Sequence, residues 1–290
     1  ILALALLLGL AMPLAVIVIR ENLNTTVRGR KDLEKLSVPF VGEIPLYLPL
    51  RKGGRSLFGK KGQDGERRIV VREGRRDIAN EAFRVLRTNL EFMAGSPGSG
   101  KTFLTMNIAA GLAIKEKKVL VIDGDLRHGS LSSFVDSPKT GLSDWLAGRT
   151  DAWKSIVRKA GETQDGPDVI PVGTLPPNPT ELLSSPRVEE LLAEVRSEYD
   201  YVFIDCPPVD IVADVQLFGK LADRTLFVVR AGLLERSMLP ELESLYRRKQ
   251  FRNMALILNG TENEAGRYGY RYGYKYGYRY GYHYGYYNRE

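Results

Sequence analysis

Apolar and polar positions along the chain change period several times, and each change marks an element. The first nineteen residues, Ile1–Ile19, carry no charge and are nearly all apolar. As a helix they span roughly 30 Å, the thickness of a bilayer core, and Pro13 is tolerated inside such a span. A signal peptide would show a basic start, a shorter apolar run and a small-residue cleavage site, and none is evident. Arg20, Arg28, Arg30 and Lys31 follow, which by the positive-inside rule puts the downstream chain in the cytoplasm. Residues 21–50 read as a short juxtamembrane module ending in Val41-Gly42-Glu43-Ile44-Pro45. Residues 51–76 are rich in Lys, Arg and Gly and poor in apolar side chains, a basic linker that serves as a solvated tether and adheres to anionic headgroups.

Helical spacing resumes over 77–90, where Glu81, Arg84 and Arg87 share one face. They form either an intrahelical ion pair or a contact with a neighbouring subunit. Beyond residue 100 short apolar runs alternate with helical stretches. Strands are predicted at 119–123, 168–172, 201–205, 225–229 and 254–259, and helices at 103–115, 186–199 and 238–249, with helical pieces in 142–159. This alternation predicts an α/β fold: a mostly parallel sheet with helices on both faces, binding its ligand at the carboxyl ends of the strands.

Between the helix at 77–90 and the first strand lies Gly95-Ser96-Pro97-Gly98-Ser99-Gly100-Lys101-Thr102, a G-x-x-x-x-G-K-T phosphate loop. Small residues let backbone N–H groups turn inward on a polyphosphate, and the following helix presents its positive N-terminus. Such a loop should leave a buried strand. Leu90–Ala94 reads instead as the end of the preceding helix, so the sequence predicts that roughly 10–20 residues are absent between Met93 and Ser96. On that reading Pro97, Gly98, Ser99, Gly100, Lys101 and Thr102 are firmer loop residues than Gly95. Two predicted strands end in acids: Asp123 with Asp125 after the first, and Asp205 on the third. A lone strand-end Asp often caps a helix. Three beside a phosphate loop point to a Mg²⁺ site built with Thr102, and one of them is placed to take a proton from an attacking hydroxyl.

The 290 residues suffice for a full core, the net charge is +7, and the single cysteine, Cys206, excludes a disulfide framework. The charge is compatible with nucleic acid, anionic lipid or a polyphosphate ligand. Residues 267–287 of the tail 267–290 repeat Arg/Lys-Tyr-Gly-Tyr, and the tail sets Tyr268, Tyr270, Tyr272, Tyr274, Tyr276, Tyr278, Tyr280, Tyr282, Tyr284, Tyr286 and Tyr287 among five cations and one anion. Glycine at every fourth position opposes a helix, so a disordered tail is expected. One reading makes it an aromatic, cationic adhesive able to stack on single-stranded nucleic acid. The other makes the tyrosines phosphate acceptors. Flexible chain of this length spans about 27 Å, enough to reach a neighbouring active site. Each phosphate adds about −1.5 to −2 charges, so two bring the tail near neutrality and three reverse its sign.

The phosphate loop, Ile122-Asp123-Gly124-Asp125-Leu126-Arg127, Ile204-Asp205-Cys206-Pro207-Pro208, Glu81-x-x-Arg84-x-x-Arg87 and the tyrosine cluster together resemble the bacterial tyrosine kinases (BY-kinases) of the polysaccharide co-polymerase family. Ser96 stands where the related cell-division and partition ATPases carry a signature lysine. The resemblance covers the chain from the family's second membrane helix onward and implies a kinase domain over 77–266. It implies ATP and Mg²⁺ as ligands, with Lys101 on the phosphates. Thr102, Asp123 and Asp205 serve the metal, Asp123 as base for the tyrosine and Asp125 in support. It also implies a homo-oligomeric ring with Glu81, Arg84 and Arg87 at its interface, and tails phosphorylated in trans. The implied setting is the bacterial inner membrane, with the kinase domain cytoplasmic. The implied partners are a polysaccharide polymerisation and export machinery and a tyrosine phosphatase, with no nucleic acid. A P-loop ATPase that moves membrane partners is the alternative.

Overall fold

A computed structural model of the chain describes residues 24–46, 92–160, 166–208, 218–219 and 221–261, together with positions 9, 11–13, 15, 69 and 71. Most of the apolar N-terminal run, most of the basic linker, Glu81, Arg84, Arg87 and the tyrosine tail lie outside the described residues. Among the described residues no helix is long and apolar enough to cross a membrane.

Eight strands among the described residues form one sheet: β1 (Phe40–Pro45), β2 (Phe92–Gly95), β3 (Val119–Asp123), β4 (Arg158–Lys159), β5 (Asp168–Ile170), β6 (Tyr201–Asp205), β7 (Thr225–Arg230) and β8 (Met254–Thr261). Their spatial order is β1-β8-β7-β2-β6-β3-β5-β4. Every pairing is parallel except β4 with β5. The principal helices are α1 (Lys101–Ala113), α2 (Arg187–Glu198) and α3 (Leu239–Arg247).

The strands are apolar at consecutive positions because both faces are covered. Side chains alternate between faces, so neighbours in sequence enter different cores. Val121, Phe203, Val228 and Ile257 pack with Leu104, Met106 and Ile108 of α1. Ile122, Ile204, Val229 and Leu258 pack on the other side with Leu191 and Val195 of α2 and Leu242 of α3. Helix α1 is buried almost all round, as expected of a helix with little polar surface. Part of its cover comes from the N-terminal side: Val71 is buried and its N–H donates to Asn107 Oδ1 at 3.2 Å.

The expected gap before the phosphate loop is not needed to supply the strand. Phe92–Gly95 is itself strand β2, lying between β6 and β7 in the middle of the sheet. Its local sequence carries no helix-breaking signal ahead of Gly95, which is why it reads as a helix end. The pairing on both sides overrides that local reading.

Residues 24–46 are also part of the packed body. Thr26 bridges Glu235, Val27 N donates to Leu234 O and Gly232 N to Val27 O, both at 2.8 Å. Val27 and Ile44 are fully buried, and β1 adds an edge strand to β8. Val41–Pro45, seen in the sequence only as the end of a module, is this edge strand.

Candidate nucleotide and phosphoryl-transfer site

The phosphate loop leaves β2 at Gly95 and enters α1 at Lys101. A Cβ on Gly95 would meet Val228 O of the adjacent strand at 2.5 Å, so a side chain there would push the loop off the sheet. The structure thereby gives Gly95 a role of its own as the loop's first glycine. Gly100 has φ +85°, and a Cβ there would lie 2.5 Å from Asn259 Nδ2. Only glycine meets both conditions at little cost.

Lys101 is nearly buried, and its ammonium donates to the carbonyls of Gly95 and Ser96 at 3.4 and 3.2 Å. The lysine thus lies folded over the loop whose phosphates it is expected to meet. Thr102 Oγ1 donates to Asp205 Oδ2 at 2.5 Å. That single bond joins the first turn of α1 to the carboxyl end of β6.

The three acids lie on neighbouring elements, but among the described residues no three His, Cys, Asp or Glu side chains are arranged to hold a metal ion, so the expected metal role of Asp123 is not met by a three-acid cluster. Asp123 and Asp205 are register partners on β3 and β6, and Asp125 follows on the turn after β3. Asp123 is fully buried, accepts from the backbone N–H groups of Leu131 and Ser132 at 3.1 and 3.2 Å, and accepts from Asp125 N at 3.3 Å. Burial, then the charges of Asp205 and Asp125, hold its carboxyl well above the usual carboxylate range. Burial also pushes Asp205 up to about 6, against the lowering effects of the Thr102 hydroxyl and the Lys101 charge. Asp125 lies nearer the surface and accepts from the N–H groups of Arg127 and His128. His128 Nδ1 lies 3.2 Å from both of its oxygens. Cys206, next to Asp205, is buried and its thiol is pushed up by burial, so it stays protonated and unreactive.

These residues fit a hard cation. Asp205 Oδ1 is buried and has no hydrogen-bond partner among the described residues, while its other oxygen holds the Thr102 hydroxyl. An oxygen-only donor pair beside a phosphate loop is the chemistry of Mg²⁺, whose remaining positions are filled by water and phosphate.

Three neighbours of the loop escaped the sequence reading. Asn259, buried at the carboxyl end of β8, donates from Nδ2 to Ser99 O at 2.7 Å. Arg230 ends β7 beside it. Leu233 lies on the next turn, 3.8 Å from the position of a Cβ on Gly98. The signal for the first two was present: each is a polar residue at the tip of an apolar strand, as are Asp123 and Asp205.

Comparisons with known proteins agree with this fold. Residues 92–233 match a sequence family described as an AAA domain. The chain is 34% identical over 245 residues to the tyrosine-protein kinase Etk of Escherichia coli K12, covering 78% of this chain and 33% of that protein. It is 35% identical over 242 residues to the tyrosine-protein kinase Wzc of Salmonella typhimurium, covering 78% and 33%. The chain therefore spans about a third of the length of these relatives. Its fold matches the kinase domain of Escherichia coli Etk with a TM-score of 0.69 and 32% identity, covering 86% of this chain and 100% of that domain. A parallel sheet with a nucleotide-binding phosphate loop, two acid-tipped strands and this match to a whole kinase domain place the chain in the bacterial tyrosine kinase family.

Proposed function

We propose that the chain is an ATP-dependent protein-tyrosine kinase that phosphorylates the tail tyrosines of a neighbouring copy. The observation that carries the reading is the convergence of Lys101, Thr102, Asp205 and Asp123 on one end of the sheet, joined by the Thr102–Asp205 hydrogen bond. The loop amides and Lys101 hold the β- and γ-phosphates, so the reacting phosphoryl group is positioned before chemistry. Thr102 and Asp205 would hold Mg²⁺, which when bound neutralises charge on the phosphate oxygens. The bond from the γ-phosphorus to the β-phosphate oxygen breaks, and a bond to the tyrosine oxygen forms. Asp123 takes the phenolic proton, a role helped by its raised proton affinity, and Asp125 supports it from the mouth of the site.

The family relationship supports the wider setting. The tail supplies Tyr268 to Tyr287 as acceptors, the segment 77–90 supplies Glu81, Arg84 and Arg87 to a ring interface, and the apolar N-terminal run anchors the chain in the inner membrane. On this reading tail phosphorylation, reversed by a phosphatase, controls polysaccharide polymerisation and export.

The test is incubation with ATP and Mg²⁺ followed by detection of phosphotyrosine. Labelling is expected in the parent chain and is lost in Lys101→Met. Phosphate release without phosphotyrosine would favour the ATPase alternative. Labelling that persists in Lys101→Met would contradict the site.

A further inference from the structure

Arg230 stands at the carboxyl end of β7, in register with Asn259 of β8. Its guanidinium lies over Gly260, where a Cβ would meet Nε at 2.7 Å and Cζ at 2.8 Å. From there it runs toward the phosphate loop, and Nη1 lies 3.6 Å from the position of a Cβ on Gly100. Gly260 has φ +75°, so glycine there provides both the backbone turn and the space for the guanidinium. The backbone around Arg230 is pinned: Ala231 N donates to Asn259 O at 2.8 Å, and Leu233 N and Leu234 N donate to Arg230 O at 3.2 Å.

A half-buried guanidinium normally finds an anion. Among the described residues Arg230 makes no ion pair. The nearby acids are committed elsewhere. Glu235, on the same turn, accepts from the Thr25 hydroxyl, and Asp32 pairs with Arg236 at 3.0 Å. Lys101, the loop's own cation, is drawn to the Gly95 and Ser96 carbonyls. Two cations thus lie beside one phosphate loop, Lys101 from the first turn of α1 and Arg230 from the tip of β7.

From this geometry we infer that Arg230 is the second cation of the polyphosphate site, donating charge-assisted hydrogen bonds to the phosphates of the bound nucleotide. This rests on the nucleotide reading above and adds to it a residue and a specificity. Guanidinium binds phosphate through paired N–H groups, and its contribution grows with the charge of the anion. The site therefore discriminates by phosphate count, favouring ATP over ADP and AMP.

The experiment is calorimetric titration of the parent chain, Arg230→Gln and Arg230→Lys with ATP, ADP and AMP in the presence of Mg²⁺. Thermal unfolding without nucleotide serves as a check on folding. Arg230→Gln should weaken ATP about tenfold or more, the effect of losing a charged hydrogen bond, weaken ADP less, and leave AMP within about twofold of the parent. Arg230→Lys should recover part of the ATP affinity. Equal losses for all three nucleotides, no loss for ATP, or a lysine variant as weak as the glutamine one would each overturn the inference. Should the parent chain fail to bind ATP, the nucleotide reading itself fails, and the role of Arg230 with it.

Discussion

Asp205 sets stability against the proposed chemistry within one side chain. Its carboxyl is buried and pushed up to about 6 in the folded chain, against 3.8 for the unperturbed group. A raised carboxyl pKa means the folded state binds the proton more tightly than the unfolded state. The resulting stability is fully present below about pH 4 and is lost as the pH rises through about 6. Above that range the folded chain carries a buried charge that the Thr102 and Thr105 hydroxyls and the Lys101 ammonium only partly offset. Asp205→Asn is therefore expected to raise the melting temperature at pH 7.5 in chelator, with the difference closing below pH 4, and to abolish phosphoryl transfer. Thermal melts across pH, beside activity assays, check both halves. At Gly100 the conflict is steric. Gly100→Ala must strain a φ of +85° and displace Asn259, so nucleotide binding should fall by at least tenfold, measured by titration with ATP.

The elements that carry the site differ in how openly the sequence declared them. Strands β3, β6, β7 and β8 are runs of β-branched and aliphatic residues, so their burial on both faces was legible, as were the acids at two of their tips. The four residues of β2 were not, because nothing between Phe92 and Gly95 separates a strand from a helix end until β6 and β7 pair with it. Strand β1 was hidden for a similar reason, since Gly42, Glu43 and Pro45 break its alternation and only β8 gives it register. Asn259 and Arg230 were visible as polar strand tips, yet their roles depend on which strands flank β2, and sequence order does not give that. Strand β1 contributes real packing energy. Ile44→Ala should destabilise the chain by about 2–5 kcal/mol in urea unfolding, because its side chain is fully buried.

At the scale of the whole molecule, the segment 24–46 fastens onto the turn that follows β7, and that turn reaches the phosphate loop through Arg230 and Leu233. The N-terminal side of the chain and the nucleotide site are thus parts of one body. On the proposed function the tail acts through its charge. With five cations and one anion it starts positive, and on that function phosphorylation of two tyrosines brings it near neutrality and of three reverses its sign. Self-association of the chain, followed by light scattering, is expected to change on phosphorylation, and that change should shrink as salt rises from low to physiological concentrations. The central claim is most directly tested by mixing Lys101→Met, with its tail intact, with an active chain truncated after residue 266, in ATP and Mg²⁺, and mapping phosphate by mass spectrometry. The account predicts phosphate on Tyr268 to Tyr287 of the inactive partner; unmodified tyrosines on that partner while ATP is consumed would contradict it.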